Sequence, residues 1–277
     1  MLEPTDNMVE KVEIQLFLNG VFQVYGYDFR DYAPSSIRRR ILHMMQSEKI
    51  STISELQAKV LHDRESMNRF LMAVSINVTE MFRDPPFFMS FRRNIIPMLS
   101  SLPFIRIWHA GCSTGEEVYS MAILLEEEGL YDKTKMYATD INEISLDKAR
   151  KGIYPLSLMK EYTDNSIKAG CRRPFSEYYT SDSKNAVLSE MLKKNILWAQ
   201  HNLVTDSSFN EFDVIICRNV MIYFNKSLQN KVHKLLYGSL KTNGILGLGS
   251  AESLKFTPLE NRYEDLDSKM KLFKKVK

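Results

Sequence analysis

The sequence has little cysteine and no long apolar run. Its 277 residues include three cysteines, Cys112, Cys171 and Cys217, which lie far apart. Because the number is odd and no cysteine or histidine partner stands at zinc-ligand spacing, we expect neither a disulfide framework nor a structural metal site. No apolar stretch approaches the length of a membrane span, and the first residues are acidic, unlike a secretory signal. We therefore expect a soluble cytoplasmic protein without membrane insertion.

A strong charge of one sign is also missing, because the formal net charge is only +3. Basic residues cluster locally, at residues 38–40, 92–93 and 274–275. Such short runs are typical of solvated faces, and neither a broad basic face nor an aromatic platform for stacked bases is visible. We therefore expect no nucleic-acid partner.

The first part of the chain, from Met8 to about residue 100, has the apolar spacing of helices. For example, Ile37, Ile41 and Met44 recur at helical spacing behind Pro34, a residue that is favoured at helix starts. Runs typical of strands are almost absent here. The pattern predicts a small bundle of helices.

After Pro103 the pattern changes to short apolar runs that alternate with amphipathic helices. The candidate strands are residues 104–108, 135–139, 195–199, 212–217, 244–249 and 270–273. This alternation predicts an α/β fold with a mostly parallel sheet and ligands at the carboxyl ends of the strands. We place an all-helical domain with its linker at 1–90 and a cofactor-binding domain at 91–277, with an insertion at about 155–194.

Two glycines surround the end of the first candidate strand. Gly111 ends the strand and Gly115 opens the next helix, which is the usual position of a nucleotide-like cofactor. Since Gly-x-x-x-Gly differs from the dinucleotide fingerprint, a cofactor without a pyrophosphate fits better, and a nicotinamide dehydrogenase is disfavoured. Asp140, at the end of the next strand, is placed to bind ribose hydroxyls or else to cap the following helix.

Three motifs then occur in order along the chain: SINVTEMFRD at 75–84, AGCSTGEE at 110–117 and CRNVMIYF at 217–224. Together they resemble the CheR family, the chemotaxis protein-glutamate O-methyltransferases, and the resemblance covers nearly the whole chain, including GSAES at 249–253. It implies a Rossmann-like class I methyltransferase domain with a mostly parallel sheet, preceded by a small all-α domain and carrying a small antiparallel β insertion.

The resemblance also implies an activity. S-adenosyl-L-methionine would donate a methyl group to glutamate carboxylates of the cytoplasmic domain of a chemoreceptor (a methyl-accepting chemotaxis protein), leaving S-adenosyl-L-homocysteine. The enzyme is expected to be a monomer. Two readings stay open: a methyltransferase of another protein or small molecule, and a non-catalytic cofactor-binding signalling module.

By position, the resemblance implies a cofactor site assembled from both halves of the chain. The cofactor-binding residues would be Asn77, Thr79, Arg83, Gly111, Glu117, Asp140, Asn202, Leu203, Arg218 and Asn219. Of these, Asn202 and Leu203 would flank the adenine, and Arg83 with Tyr223 would lie nearest the transferred methyl group and act in catalysis.

Several of these residues also have a purely structural interpretation. Asn77 and Thr79 are good helix caps, and Tyr223 fits an aromatic core position. One of the paired Glu116 and Glu117 is expected only to favour a helix N-terminus electrostatically.

The implied chemistry needs no general base, because a glutamate with a pKa of about 4.3 is already ionised at neutral pH. Arg83 is the candidate to orient the substrate carboxylate, although beside Asp84 it also fits a surface ion pair. Tyr223 is the candidate to position the substrate or the sulfonium. Arg38, Arg39 and Arg40 would either meet an acidic receptor face or form a solvated helix surface.

Two departures from the family pattern stand out. Val118 takes the place of a usual proline after the second glutamate, which alters only the first turn of the helix. In the insertion we expect strands at 172–179 and 193–197, but the connecting residues 180–185 lack a glycine-rich turn. We therefore expect that this chain does not bind a receptor C-terminal pentapeptide.

Overall fold

The computed structural model describes residues 6–75 and 79–276, which fall into two compact units. The first unit contains residues 1–76 with 223–231, and the second contains 77–222 with 232–277. The division at residue 76 therefore lies before the boundary at 90 that we placed from the sequence. The helical residues from 85 to 100 belong to the second unit.

The described part of the first unit is helical. Its helices are α1 (Asp6–Tyr25), α2 (Pro34–Glu48), α3 (Ile53–His62) and α4 (Arg64–Val74). Thr52 and Asp63 cap α3 and α4, because their side-chain oxygens accept backbone N–H groups of the first turn. Phe17, Ile41 and Phe70 are fully buried in its core. The predicted helical domain is thus confirmed.

The second unit adds helices and two sheets. Its helices are α5 (Pro85–Ser90), α6 (Ile96–Ser100), α7 (Glu116–Glu127), α8 (Glu143–Lys151) and α9 (Met159–Lys168), and a wider π-helical turn (Phe91–Ile95) joins α5 to α6. The last helix, α10 (Lys226–Ser239), begins in the first unit and continues into the second from residue 232. The strands are β1 (Ile105–Ala110), β2 (Thr134–Asp140), β3 (Ile153–Pro155), β4 (Tyr179–Ser181), β5 (Asn185–Leu188), β6 (Ile196–Gln200), β7 (Phe212–Cys217), β8 (Leu240–Leu248), β9 (Tyr263–Asp267) and β10 (Leu272–Lys275).

The large sheet has the order β6-β2-β1-β7-β8-β10-β9. Strands β6, β2, β1, β7 and β8 run parallel, and β10 is antiparallel to both neighbours. This is the Rossmann-like, mostly parallel sheet that the sequence predicted. The carboxyl ends of β1, β2, β6 and β7 meet at one edge, where ligands bind in such sheets.

The insertion forms a small antiparallel sheet of order β3-β5-β4, as predicted, but from other segments. Residues 193–197 were predicted as one of its strands. That placement is wrong, because Ile196–Gln200 pairs in parallel with β2 in the large sheet. The pairing confirms the other prediction for this region, a strand of the parallel sheet at 195–199. Residues 175–178 form a short 3-10 turn, so the strand begins only at Tyr179. The connecting turn needs no glycine, because the Asp182 carboxylate accepts the N–H groups of Lys184 and Asn185.

No helix within the described ranges is both long enough and apolar enough to span a bilayer.

Candidate active site

The turn after β1 depends on two glycines in the left-handed region. Gly111 has φ +79°, and a Cβ there would lie 2.5 Å from Cγ2 of Val220. Gly115 has φ +95°, and its Cβ would lie 2.9 Å from Cβ of Ala149. A side chain at either position would collide with the packed neighbours as well as strain the backbone. The glycine turn predicted from the sequence is therefore sterically required.

Asp140, at the end of β2, holds this turn in place. Its carboxylate accepts the N–H of Ser113 at 2.8 Å and the N–H of Asn142 at 2.9 Å. Burial raises the pKa of Asp140, while these two N–H donors act in the opposite direction. The N-cap of α8 is Asn142, whose side chain accepts the N–H of Ile144, so Asp140 does not cap that helix.

The paired glutamates at the start of α7 have different environments. Glu116 is buried, accepts the hydroxyl of Thr114, and has its pKa raised by burial to about 7. Glu117 accepts a hydrogen bond from Nδ1 of His109 at 2.9 Å and from Nη1 of Arg218 at 3.1 Å. Burial acts to raise the pKa of Glu117, but the His109 hydrogen bond and the Arg218 charge outweigh it, so the pKa is lowered. Glu117 is thus held as an anion.

Arg218 is a buried brace at the end of β7. Besides Glu117, its guanidinium donates to Oδ2 of Asp84 at 2.7 Å and to the carbonyl of Arg83 at 3.2 Å. It also lies over the ring of Phe87, with Cζ 4.1 Å from the ring centre. The side chain of Arg218 is only 2% exposed. It therefore organises the residues around the edge of the sheet.

Arg83 lies on a strained segment of backbone. Its neighbours Phe82 and Asp84 both have positive φ, +54° and +55°. The N–H of Phe82 donates to the buried hydroxyl of Ser120 at 2.7 Å, and Arg218 binds the segment from the other side. Such a conformation persists only when its surroundings fix it, and it is often found at functional sites. The strained backbone on both sides of Arg83 therefore marks this segment as part of a candidate functional site.

Fewer contacts are described for the remaining predicted cofactor residues. Asn77 lies outside the described residues, which resume at Thr79, and Thr79 is half-buried. Asn202 and Leu203 follow β6, and the N–H of the preceding His201 donates to the backbone oxygen of Asp140. The amide oxygen of Asn202 accepts the N–H of Val204 at 2.9 Å, so it shapes its own turn.

Tyr223 belongs to the first unit, where Arg40 packs against it. Cζ of Arg40 lies 5.0 Å from the centre of the Tyr223 ring. Nη1 of Arg40 donates to the carbonyl of Ala73 at 2.7 Å, and its Nε and Nη2 have no hydrogen-bond partner among the described residues. Arg40 is 7% exposed, and burial lowers its pKa.

The three arginines of α2 therefore do not share one surface, contrary to the expectation from the sequence. Arg40 is buried, because its helix face packs in the core with Ile37 and Ile41. Arg38 forms an exposed ion pair with Glu10. Only Arg38 and Arg39 remain on the solvent side.

His109 is a residue that the sequence did not single out. It is fully buried in β1 and holds Glu117, while its Nε2 has no partner among the described residues. A histidine within an apolar strand gives no signal of this role, since the contact depends on where α7 begins. Among the described residues, no group of three or more His, Cys, Asp or Glu side chains is arranged to hold a metal ion.

The edge of the sheet suits a ligand with hydroxyl and amine donors. Asp140 and Glu117 are partly buried carboxylates, and the amide oxygen of Asn219, at φ +61°, is buried without a partner within the described residues. The glycine turn leaves room for close approach of a ligand. With the strand order, these features define a Rossmann-like domain with a cofactor site at this edge of the sheet.

Comparison with known proteins gives the family. Residues 77–271 match the family model described as CheR methyltransferase, SAM binding domain, and residues 12–75 match CheR methyltransferase, all-alpha domain. The chain belongs to the CheR methyltransferase family and is an S-adenosylmethionine-dependent methyltransferase, which confirms the family, fold and cofactor predictions.

Three curated relatives match along most of their length. The chain is 48% identical to "Putative methyltransferase Cher3" of Pseudomonas putida over 95% of this chain and 97% of that protein. It is 33% identical to the chemotaxis protein methyltransferase of Borreliella burgdorferi, over 89% and 90% of the two chains. It is 30% identical to the chemotaxis protein methyltransferase of Listeria innocua, over 83% and 85%.

Proposed function

We propose that this chain methylates glutamate side-chain carboxylates of the cytoplasmic domain of a chemoreceptor, forming methyl esters, and that it works as a cytoplasmic monomer. The observation that carries the proposal is the family match, since two relatives that match over most of their length are named chemotaxis protein methyltransferases. Within the first unit, the guanidinium of Arg40 is buried beside Tyr223. Two of its nitrogens have no partner among the described residues. A buried cation with open donors is costly, and a carboxylate is the group that an arginine fork binds best.

The reaction suits a carboxylate acceptor. When bound, S-adenosylmethionine would supply a methyl group on a positively charged sulfur. The methyl would form a bond to a carboxylate oxygen as its bond to sulfur breaks, and S-adenosylhomocysteine would leave. A glutamate is ionised at neutral pH, so no residue has to remove a proton. The buried His109 accordingly has another task, since it holds Glu117. What remains for the protein is to orient and desolvate the acceptor.

The roles of the site residues follow from their surroundings. We assign Asp140 to the ribose hydroxyls and Glu117, which is held as an anion, to the cofactor ammonium group. Asn219 offers its unpartnered amide oxygen to a cofactor donor, and Gly111 provides the close approach. Arg83 and Tyr223 are assigned to the acceptor carboxylate and the methyl group.

The other cofactor contacts are assigned from position in the family motifs. They are Asn77, Thr79, Asn202, Leu203 and Arg218, with Leu203 and Asn202 beside the adenine. Arg218 acts on the site through Glu117 and the segment that carries Arg83.

The test uses the purified chain, methyl-labelled S-adenosylmethionine and receptor cytoplasmic fragments. We expect incorporation of label that base releases, as from an ester, and that disappears when the receptor glutamates are replaced by glutamine. Base-stable label, or unchanged labelling of a glutamate-free receptor, would reject a glutamate carboxylate as the acceptor.

Two variants test the acceptor contacts. Arg40→Met and Arg83→Ala are each expected to lower receptor methylation by at least about tenfold, because the carboxylate loses an orienting donor. Arg69→Met is the control for Arg40, since Arg69 lies in the same unit and forms an exposed ion pair with Glu48. If Arg40→Met methylates receptor as fast as Arg69→Met, Arg40 does not bind the acceptor.

A further inference from the structure

The loop that follows β8 contains a buried carboxylate that the methyl-transfer chemistry leaves unused. Glu252 is 5% exposed and belongs to the segment 249–253, GSAES. This segment lies at the carboxyl end of β8, beside the loop that follows β7, because β7 and β8 run parallel as neighbours. The β7 loop, defined here as residues 218–221, carries Arg218 and Asn219.

Four backbone N–H groups converge on the Glu252 carboxylate. Oε1 accepts the N–H of Val220 at 2.9 Å and of Met221 at 2.7 Å. Oε2 accepts the N–H of Asn219 at 3.1 Å and of Gly249 at 2.7 Å. Hydrogen bonds to an ionised acceptor are roughly twice as strong as neutral ones. Three consecutive peptide groups of the β7 loop are thus fixed by one side chain.

Glu252 and the β7 loop pack closely against Gly249. A Cβ on Gly249 would lie 2.7 Å from the backbone nitrogen of Asn219 and 2.8 Å from Oε2 of Glu252. The two loops therefore approach each other as closely as glycine allows. Asn219 itself has φ +61°, in the left-handed region that few residues with a side chain adopt and that asparagine adopts more readily than most. Its N–H bond to Glu252 helps to hold that conformation.

We infer that Glu252 is a positioning residue for methyl transfer, which holds the β7 loop so that Asn219 and Arg218 stay oriented towards the cofactor edge of the sheet. The inference rests on the roles that are proposed above for these two residues. The loop groups that donate hydrogen bonds to Glu252 are backbone N–H groups, so Glu252 acts on the site through Asn219 and Arg218. Without it, the amide oxygen of Asn219 is no longer held in place.

Glutamine cannot replace Glu252 in this arrangement. Each carboxylate oxygen accepts two N–H groups, and an amide NH2 in either position would face two donors. Two buried backbone N–H groups would then lose their acceptor. Burial raises the pKa of Glu252, while the four N–H groups favour the ionised form. Aspartate keeps the charge but is one methylene shorter, so it serves some of the donors.

The experiment compares Glu252→Gln and Glu252→Asp with wild type. S-adenosylhomocysteine binding is measured by calorimetry, and kcat and KM by methyl transfer to receptor fragments. We expect Glu252→Gln to weaken S-adenosylhomocysteine binding about tenfold and to lower kcat by about ten- to a hundredfold. Glu252→Asp is expected to recover part of both losses.

Asp213→Asn provides the matched control. Asp213 is also a buried carboxylate that accepts a backbone N–H, from Arg106, but it stands at the opposite end of β7. This variant is expected to lower Tm while binding and kcat stay within about twofold of wild type. Loss of binding in Asp213→Asn equal to that in Glu252→Gln, or wild-type binding and kcat in Glu252→Gln, overturns the inference. If Glu252→Gln does not fold, the Glu252→Asp measurements decide by the same criteria.

The two readouts separate this inference from the proposed function. S-adenosylhomocysteine binding involves no methyl acceptor. If wild type does not methylate receptor but Glu252→Gln loses S-adenosylhomocysteine affinity, the receptor assignment fails and the role of Glu252 stands.

Discussion

The turn after β1 and the loop after β7 border the same edge of the sheet, yet they obtain their shapes differently. The turn after β1 owes its path to its own glycines, Gly111 and Gly115, and to Asp140 on the adjacent strand. The β7 loop is held by residues distant in sequence: Glu252 is 33 positions from Asn219, and Asp84 is 134 positions from Arg218. The turn after β1 therefore depends on glycines within the turn as well as on a carboxylate 27 positions away, whereas the β7 loop depends on side chains from outside the loop.

The largest expected effect comes from disrupting the glycine turn after β1. Gly111→Ala places a methyl group against Val220 and forces alanine into φ +79°, so S-adenosylhomocysteine affinity should fall by at least about a hundredfold. Calorimetry on the folded variant measures this loss.

Gly129→Ala is the control, since Gly129 has φ +66° in the same unit but no atom within 4 Å of its Cβ position. It should bind S-adenosylhomocysteine as wild type does. Adding Val220→Ala to Gly111→Ala should recover part of the affinity. No recovery would show that the clash with Val220 is not the cause.

The next effect concerns the brace of the β7 loop. Arg218→Met leaves Glu117 and Asp84 without their shared cation and frees the segment that carries Arg83. We expect a loss of about 1–3 kcal/mol in the free energy of unfolding, and a fall in kcat of about tenfold from the misplaced segment. Urea denaturation and steady-state kinetics measure the two quantities.

Arg150→Met serves as the comparison for Arg218, because the ion pairs of Arg150 with Glu143 and Asp147 are exposed. Exposed pairs contribute little, so this variant should retain wild-type kcat. Equal kcat in the two variants would contradict the bracing role.

The smallest effect on turnover is expected at Glu116, although its effect on stability depends on pH. Burial raises its pKa from the ordinary 4.5 to about 7 in the folded protein. Folding therefore favours the protonated form of Glu116. Its contribution to the free energy of unfolding, on the order of 3 kcal/mol, is present below about pH 4.5 and is lost as pH rises towards 7. Glu116→Gln removes the titrating group.

The Tm of Glu116→Gln minus that of wild type should therefore be more positive at pH 8 than at pH 5, with kcat unchanged. Thermal unfolding at both pH values gives the comparison. An equal Tm difference at the two pH values would mean that Glu116 does not titrate in this range.

Sequence reasoning recovered the parts of the fold whose signal lies in consecutive residues. The buried strands β1, β2, β7 and β8 are apolar runs, and they were predicted. The strand β9, YEDLD, was missed because an edge strand that is half exposed carries acids and shows no apolar run. The strand β6 was also predicted, at 195–199. The competing placement of 193–197 in the insertion was wrong, because an apolar run does not say which sheet it joins.

For the candidate site as well, the sequence indicated individual residues but not the contacts between them. Gly111 and Asp140 were found from spacing, and the family motifs supplied Arg83, Arg218 and Tyr223; their catalytic and binding roles stay predictions. What the motifs did not show is the bonding between them.

The sequence by itself determined the two kinds of domain, the glycine turn and the cofactor class, because apolar periodicity and the steric freedom of glycine act over a few residues. Only the tertiary structure decided that Arg40 is buried against Tyr223, that His109 and Arg218 share Glu117, and that Glu252 holds the β7 loop. These contacts join residues from about 30 to more than 100 positions apart, except His109 and Glu117, which only the start of α7 brings together. Buried donors and acceptors find their partners through the packing of whole elements, which no short stretch of chain encodes.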